Sequence, residues 1–125
     1  MTNKTNISVG FKAEATMMQI LASDSLEIIF DLDALPTGNL FVEYQNKKQA
    51  SGISTSQSDW WVIFLNLSRS IMVRTEKLKV MCRKHIGTDK DVFRGDCKGI
   101  LLPLKDLLEY DGAEDTEEED RPTGE

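Results

Sequence analysis

The hydrophobic and polar positions follow a helical spacing first and a strand-like pattern afterwards. Residues 9–21 carry a broad apolar stripe at helical spacing, which predicts an amphipathic helix. Its apolar members are Phe11, Met17, Met18, Ile20 and Leu21. Residues 26–31 and 40–44 are rich in branched and aromatic side chains, and the turn-forming sequence PTGN lies between them. We therefore predict a β-hairpin after the helix.

The remaining apolar runs predict further strands and helices. Apolar residues predict strands at residues 61–65, 71–73 and 98–103. Helical spacing predicts two helices, at residues 74–86 and 104–110. The run at 61–65 has almost no polar interruption, which is typical of a strand buried on both faces. A short helix capped by Ser56 or Ser58 is expected just before it. This order of elements predicts an α/β fold, with a mixed β-sheet flanked by α-helices.

Length and composition indicate one domain followed by an acidic tail. The 125 residues are enough for one hydrophobic core, and we expect a single domain at residues 1–110. Residues 111–125 contain eight acids and one base with almost nothing apolar, which predicts a disordered tail. The sequence has neither the roughly 18 consecutive apolar residues of a membrane span nor the apolar core of a secretory signal. We therefore expect a cytoplasmic protein without a membrane partner.

Two acids flank the predicted turn, Asp31 before it and Glu43 after it. If the two strands pair, these carboxylates converge at one end of a sheet, where they repel each other unless a cation lies between them. Mg²⁺ binds through one or two carboxylates together with waters and phosphate oxygens, so the pattern is that of a divalent metal site for a phosphate ester. The simpler interpretation is that Asp31 is a turn former whose carboxylate bonds the local backbone.

The segment DLDALPTGNLFVEYQNKKQASGISTSQSDWW, residues 31–61, resembles the small phage-type members of the PD-(D/E)XK nuclease superfamily. In those proteins an aspartate, a TGN turn, a strand ending in E-x-K or a variant, and an SGI…DWW segment follow one another. This resemblance implies a restriction-endonuclease-like fold and Mg²⁺- or Mn²⁺-dependent cleavage of DNA. A homodimer is expected from the resemblance only.

The resemblance also assigns the acids of the site. Asp31 matches the motif aspartate and Glu43 the (D/E) position, so both are implied catalytic residues and metal ligands. Glu14, on the predicted first helix, matches the acid that many resolvase-like members add to the metal site. As an exposed acid on an amphipathic helix, Glu14 equally needs no function.

Gln45 is where this chain departs from the pattern, because a lysine is usual at that position. Side chains alternate along a strand, so Glu43 and Gln45 are predicted to share one face. Gln45 would position the attacking water but brings no positive charge. Lys47 or Lys48 is the candidate substitute for that charge, and Lys47 alone keeps the strand parity of Gln45.

Charge is divided unequally along the chain. The formal net charge is −6, made up of +1 in residues 1–110 and −7 in residues 111–125. Residues 69–98 hold nine bases and four acids, which makes this stretch the candidate for contacting DNA phosphates. The alternative is a solvated helix face. The candidate DNA-binding residues are Lys47, Lys48, Arg74, Lys77, Lys79, Arg83 and Lys84.

Together these features predict a metal-dependent endonuclease that hydrolyses DNA phosphodiester bonds, acting in a host cytoplasm if it is phage-encoded. Branched or otherwise structured DNA, as in phage recombination or replication, is the substrate class that the resemblance suggests. Two alternatives stay open. One is a catalytically weak DNA-binding module, which Gln45 favours. The other is an interaction or inhibitor protein that uses the acidic tail to imitate DNA.

Overall fold

The computed structural model describes the backbone of residues 4–109 and the side chains of residues 10–109. This part of the chain contains four α-helices: Lys4–Ser23 (α1), Ala34–Thr37 (α2), Thr75–Arg83 (α3) and Leu104–Leu108 (α4). It contains seven strands: Leu26–Phe30 (β1), Asn39–Asn46 (β2), Gln49–Ala50 (β3), Trp60–Asn66 (β4), Arg69–Arg74 (β5), Asp91–Arg94 (β6) and Cys97–Pro103 (β7). A 3₁₀ helix covers Gly52–Ser54.

The strands form two sheets rather than the single sheet that we predicted. One has the order β1-β4-β5 and the other the order β3-β2-β7-β6. The mixed α/β class is confirmed, but the predicted hairpin of β1 and β2 is wrong. Strand β1 instead pairs in parallel with β4, from Leu26 opposite Trp60 to Phe30 opposite Phe64. The eight residues between β1 and β2 hold α2 and are too long for a tight hairpin turn.

The core is built from the inner faces of both sheets and from α3. It contains Leu40 and Val42 of β2, Trp61, Ile63 and Leu65 of β4, Leu78 and Cys82 of α3, and Ile100 and Leu102 of β7. Burying each large aliphatic side chain contributes roughly 1.5–3 kcal/mol. Burial alternates along β4, so the prediction that this strand is buried on both faces is wrong, and its other face is only half-buried.

The loop before β4 contains no helix next to Trp60, contrary to the prediction. The 3₁₀ helix instead begins after Ser51, whose side chain and that of Ser54 form a reciprocal capping box. The Asp59 carboxylate accepts hydrogen bonds from the backbone N–H and the hydroxyl of Ser25, at 2.8 and 3.2 Å. Residues 51–59 are therefore tied to the start of β1.

Most of the other predicted elements are present. The structure has the predicted helices as α1, α3 and α4 and the predicted strands as β5 and β7. Helix α3 ends at Arg83, three residues earlier than predicted. In the part of the chain that is described, no helix is long and apolar enough to cross a membrane. The predicted acidic tail, residues 111–125, lies outside the described residues.

Candidate functional site

Asp31 follows β1 directly and is held from three directions. Its backbone N–H donates to the Phe64 carbonyl oxygen at 2.9 Å. Its Oδ1 accepts the Asp33 N–H at 3.1 Å, and its Oδ2 accepts the Phe41 N–H at 3.0 Å. The interpretation of Asp31 as a turn former is thus confirmed. The same carboxylate also links β1 to β2, which belongs to the other sheet.

Glu43 lies in the middle of β2 and is partly buried. The Ser51 hydroxyl donates to Glu43 Oε2 at 2.7 Å. The Cys97 thiol, on the neighbouring strand β7, is also hydrogen-bonded to Glu43. That bond is the main cause that raises the pKa of Cys97 above its usual value, followed by desolvation and the charges of Glu43 and Asp96. The Ser51 hydroxyl therefore holds one oxygen of Glu43, and the Cys97 thiol lies beside the same side chain.

The Asp31 carboxylate contacts β2, the strand that contains Glu43. The Asp31 carboxylate binds the backbone of Phe41, and Glu43 is two residues further along β2. Two strand residues span about 6.6 Å, which is the distance along β2 from the Asp31 anchor to the Glu43 backbone. The Asp31 carboxylate therefore approaches β2 through the Phe41 N–H, two residues before Glu43, and not through the predicted hairpin.

Gln45 does not share a face with Glu43, so the predicted alternation is wrong at this point. The register of β2 and β7 pairs Glu43 with Gly99 but Gln45 with Lys98, with a bulge between Glu43 and Gln45. Adjacent residues of β7 face opposite sides of the sheet. Because one extra residue is accommodated at the bulge, Gln45 lies on the side of Lys98 and Glu43 on the side of Gly99.

The extra residue is Tyr44, which packs against the core. Its hydroxyl donates to Asp91 Oδ1 at 2.7 Å. Desolvation, this hydrogen bond and the charge of Asp91 together raise the pKa of Tyr44 to about 12. Tyr44 therefore joins the bulge to the start of β6.

Lys47 and Lys48 form the turn between β2 and β3 rather than extending the strand. Both have positive φ, 51° and 67°, and they are flanked by the paired residues Asn46 and Gln49. Two such residues make a tight hairpin turn, for which Asn and Gly are the usual choice. The prediction that Lys47 keeps the strand parity of Gln45 is therefore wrong. Both side chains are exposed.

Glu14 is exposed on α1. Within residues 10–109, no three or more His, Cys, Asp or Glu side chains form a group that could hold a metal ion. The expected set of Glu14, Asp31 and Glu43 is therefore not assembled in the part of the chain that is described.

The basic residues in α3 and at its two ends line two different pockets. Arg74 and Lys79 line an open pocket of about 680 Å³, together with residues 54–59, Thr75 and Glu76. Lys77 and Lys84 line a second pocket of about 300 Å³, together with His85, Asp106 and Glu109. Arg83 is exposed at the end of the helix. The predicted basic stretch is thus divided between two surfaces.

The larger pocket adjoins the acid pair through one short segment. Ser51 contacts Glu43, while Ser54, three residues later, donates to the Tyr44 carbonyl oxygen at 2.6 Å and lines the pocket. The Lys79 ammonium donates to the Ser56 carbonyl oxygen at 3.2 Å. Asp59 also lines the pocket, but its carboxylate accepts from Ser25. The pocket is therefore rich in hydroxyls, and its two basic side chains are those of Arg74 and Lys79.

Ser51, Gly52 and Cys97 are neighbours of Glu43 that were not predicted from the sequence. Ser51 and Ser54 have the spacing of a capping box, a pattern that could have indicated the start of the 3₁₀ helix. Gly52 has φ 55°, and a Cβ there would collide with the Glu43 carbonyl oxygen. Nothing in the sequence near Cys97 indicates its contact with Glu43, because that contact depends on the register of β2 and β7.

Comparison with known proteins gives no match: no protein-family model, no curated protein and no solved structure matches the chain. The roles of these residues therefore rest on their geometry and chemistry.

Proposed function

We propose that this protein is a metal-dependent DNA endonuclease with Asp31 and Glu43 as its metal-binding carboxylates. The observation that supports this most strongly is that Asp31 binds the Phe41 N–H, two residues from Glu43 on the same strand. Carboxylates supply the hard oxygen donors that Mg²⁺ and Mn²⁺ prefer.

The donor set fits such a cation. Mg²⁺ needs only one or two protein carboxylates, because waters and substrate phosphate oxygens fill its other positions. Asp31 and Glu43 would hold it. When bound, the cation lowers the pKa of a coordinated water and neutralises charge on the scissile phosphate. Glu14, which is not grouped with these two acids, is left out of the proposed site.

The chain itself orients the two carboxylates. Two backbone N–H groups fix Asp31, and the Ser51 hydroxyl fixes one oxygen of Glu43. Each acid keeps acceptor capacity after these bonds, because a carboxylate has about four lone-pair sites. This arrangement limits the reorientation that the acids undergo on binding a cation, which is how supporting hydrogen bonds increase the efficiency of a site.

The larger pocket, lined by Ser54, Arg74 and Lys79, supplies the DNA contact in this proposal. Arg74 and Lys79 would bind backbone phosphates on one side of the scissile bond, and the serine and threonine hydroxyls would donate to phosphate oxygens. Neutralising phosphates provides affinity without sequence preference. A structured or branched DNA substrate fits this mode of binding, since no base-reading element is assigned.

A catalytically weak DNA-binding module is the second candidate function. The position of Gln45 favours it, because Gln45 lies across from Lys98 and not on the Glu43 side of the sheet. In this case the pocket binds DNA while the acid pair cleaves it slowly or not at all. Cleavage and binding therefore have to be measured separately.

The cleavage experiment uses labelled junction, flap, single-stranded and duplex DNA, together with supercoiled plasmid, with Mg²⁺, with Mn²⁺ and with neither. We expect metal-dependent cleavage by the intact chain and none by Asp31→Asn or Glu43→Gln. Asp33→Asn is the matched control, because Asp33 is an exposed acid in the same turn whose side chain makes no capping bond. Equal cleavage by all three variants would exclude the proposed acid pair.

The binding experiment uses fluorescence anisotropy of the same DNAs without metal. Asp31→Asn and Glu43→Gln should bind as tightly as the intact chain or more tightly, because each removes a negative charge near a phosphate. Binding without cleavage in any metal would support the second candidate function, and neither binding nor cleavage would exclude both.

A further inference from the structure

Glu43 shares one face of the β3-β2-β7-β6 sheet with Arg94. Opposite residues in an antiparallel pair lie on the same face, and the register pairs Glu43 with Gly99 and Arg94 with Cys97. Cys97 and Gly99 are two residues apart on β7, so they also share a face. Arg94 of β6 therefore lies on the face that carries Glu43 of β2, which we call the Glu43 face.

The other basic residue in these four strands, Lys98, lies on the opposite face. It is paired with Phe93, and its ammonium nitrogen is 5.3 Å from the centroid of the Phe93 ring. The same nitrogen is 4.0 Å from Asp91 Oδ2. Lys98 therefore has its contacts away from Glu43, and Arg94 is the basic residue that these strands place on the Glu43 face.

A tight turn sets the position of Arg94. Gly95 and Asp96 are the two residues between the paired Arg94 and Cys97. Gly95 has φ 62°, and glycine at the first position of a two-residue turn is typical of a β-hairpin. The Asp96 carbonyl oxygen accepts the Lys47 N–H at 3.1 Å, which ties this turn to the one between β2 and β3. The turn therefore holds Arg94 in register with Cys97.

The Arg94 side chain reaches across β7 to a ring in β2. Its guanidinium carbon lies 4.4 Å from the centroid of the Phe41 ring. Gly99, in the strand between them, leaves room for that ring, because a Cβ there would lie 2.6 Å from Phe41 Cζ. Arg94 is exposed, and among the described residues no carboxylate forms an ion pair with it. A guanidinium on an aromatic ring can present its N–H groups to a phosphate, so Arg94 has donors to offer a ligand.

Phe41 contacts both Arg94 and Asp31. The Arg94 guanidinium lies over its ring, and its backbone N–H donates to Asp31 Oδ2 at 3.0 Å. Glu43 is two residues further along β2 and therefore on the same face as the Phe41 side chain. One strand residue thus has the basic group against its ring and a proposed metal ligand bonded to its backbone.

Hydrolysis of a phosphodiester requires positive charge beside the phosphate. A water oxygen bonds to phosphorus while one ester P–O bond breaks, the water loses a proton to solvent and the leaving oxygen gains one. Arginine, lysine or metal ions that are already in position stabilise the negative charge on the phosphoryl oxygens. Arginine binds phosphate through two parallel N–H bonds. Arg94 has the charge and the donors for this role, which the amide of Gln45 does not have.

We propose that the Arg94 guanidinium, held against the Phe41 ring, binds a DNA phosphate on the Glu43 face. The inference rests on the proposed function in one respect, namely that this phosphate is the one that is cleaved. Arg94 then supplies the positive charge that the sequence analysis expected from Lys47 or Lys48. Binding of the phosphate and its cleavage are tested by separate measurements.

Anisotropy titrations of junction and duplex DNA without metal, over a salt series, test the phosphate contact. Arg94→Gln should reduce the slope of log affinity against log salt by about one, because one phosphate contact is lost. Arg94→Lys keeps the charge and should keep the slope. Lys98→Gln is the matched control, since it removes the same charge from the opposite face of the same sheet. Circular dichroism checks that each variant is folded. An unchanged slope for Arg94→Gln, or an equal reduction with Lys98→Gln, would overturn the proposal.

Single-turnover cleavage at saturating protein tests whether the bound phosphate is the scissile one. Arg94→Gln should lower the rate by at least about a hundredfold, the loss typical of removing one charge-stabilising donor. Guanidinium chloride should restore part of the rate of Arg94→Ala, whereas sodium chloride at the same concentration should not. Cleavage by Arg94→Gln at the rate of the intact chain would overturn the role of Arg94 and leave the proposed function standing. A reduced salt slope for Arg94→Gln without cleavage by the intact chain would support the phosphate contact and overturn the proposed function.

Discussion

The Phe41 backbone N–H donates to Asp31 Oδ2 at 3.0 Å, and this bond connects the two sheets of the molecule. Asp31 follows β1 in one sheet, while Phe41 lies in β2 of the other. The carboxylate that we propose as a metal ligand therefore also has a structural role. Substitutions at this position must be judged by stability as well as by activity.

Replacing Asp31 with Ala should destabilise the fold. Asp31→Ala leaves the N–H groups of Asp33 and Phe41 without their acceptor, and a lost acceptor of this kind costs about 1–3 kcal/mol. Asp33→Ala, in the same turn, should change stability by less than about 0.5 kcal/mol. Urea unfolding of both variants measures the difference, and equal midpoints would show that the Asp31 bonds do not support the fold.

Ser51 should matter for both stability and cleavage. Ser51→Ala removes the donor to Glu43 Oε2, which should cost about 1 kcal/mol in urea unfolding. In the cleavage assay, loss of this orienting bond should lower the rate by about tenfold, the equivalent of 1.4 kcal/mol. Ser51→Thr keeps the hydroxyl and should retain most of the rate, and Ser70→Ala on exposed β5 is the control. If Ser51→Ala and Ser70→Ala cleave equally fast, Glu43 is not held by Ser51 during the reaction.

Elements were predictable where periodicity and side-chain shape are local properties. Strand β7, for example, follows from an uninterrupted apolar run before Pro103, and α3 follows from the spacing of Leu78 and Cys82. Local patterns do not predict which strands pair with each other. The chain can place β1 beside β2 or beside β4 with the same local propensities, and the parallel pairing with β4 buries Ile29 with the core. Tertiary packing therefore decided the sheet order.

Only part of the candidate site was predictable from the sequence, because the rest depends on how the strands pair. Asp31 and Glu43 were identified because both flank a recognisable turn signal. Gln45 was assigned to the wrong face because a bulge at Tyr44 breaks the period of two, and a single polar-aromatic-polar triplet gives no sign of a bulge. Cys97 was missed because its contact with Glu43 arises from strands more than fifty residues apart.

Gly52 should tolerate no side chain. It has φ 55°, and a Cβ would collide with the Glu43 carbonyl oxygen. Gly52→Ala should therefore cost more than about 3 kcal/mol, from the backbone conformation and the clash together. Gly87 has φ 81° but nothing within 4 Å of a Cβ, so Gly87→Ala measures the conformational part alone, about 1–2 kcal/mol. Thermal unfolding of both variants separates the two contributions. Equal losses would mean that the segment beside Glu43 moves away at little cost.

Tyr44 should make the fold sensitive to alkaline pH. Its pKa is raised from 10.0 to about 12, mainly by desolvation and by its bond to Asp91. A raised pKa in the folded state means that the contribution of Tyr44 is complete below pH 10.0 and is lost as the pH rises toward about 12. Urea midpoints should fall across that window for the intact chain and fall less for Tyr44→Phe. Asp91→Asn should lower the pKa of Tyr44, as ultraviolet titration of the phenol would measure. An identical alkaline loss in Tyr44→Phe would assign it to other groups.

The two sides of α3 should differ in their effect on DNA binding. Arg74 and Lys79 line the larger pocket together with Ser54, whereas Lys84 lines the pocket on the α4 side. Arg74→Ala and Lys79→Ala should each weaken binding of every DNA tested and reduce the slope of log affinity against log salt by about one. Lys84→Ala removes the same charge just after the end of α3 and should leave the slope nearly unchanged. Anisotropy titrations over a salt series measure these slopes. A loss with Lys84→Ala as large as with Lys79→Ala would show that α3 attracts DNA through its overall charge, and a loss with Lys84→Ala alone would move the DNA path to the α4 side, away from Glu43.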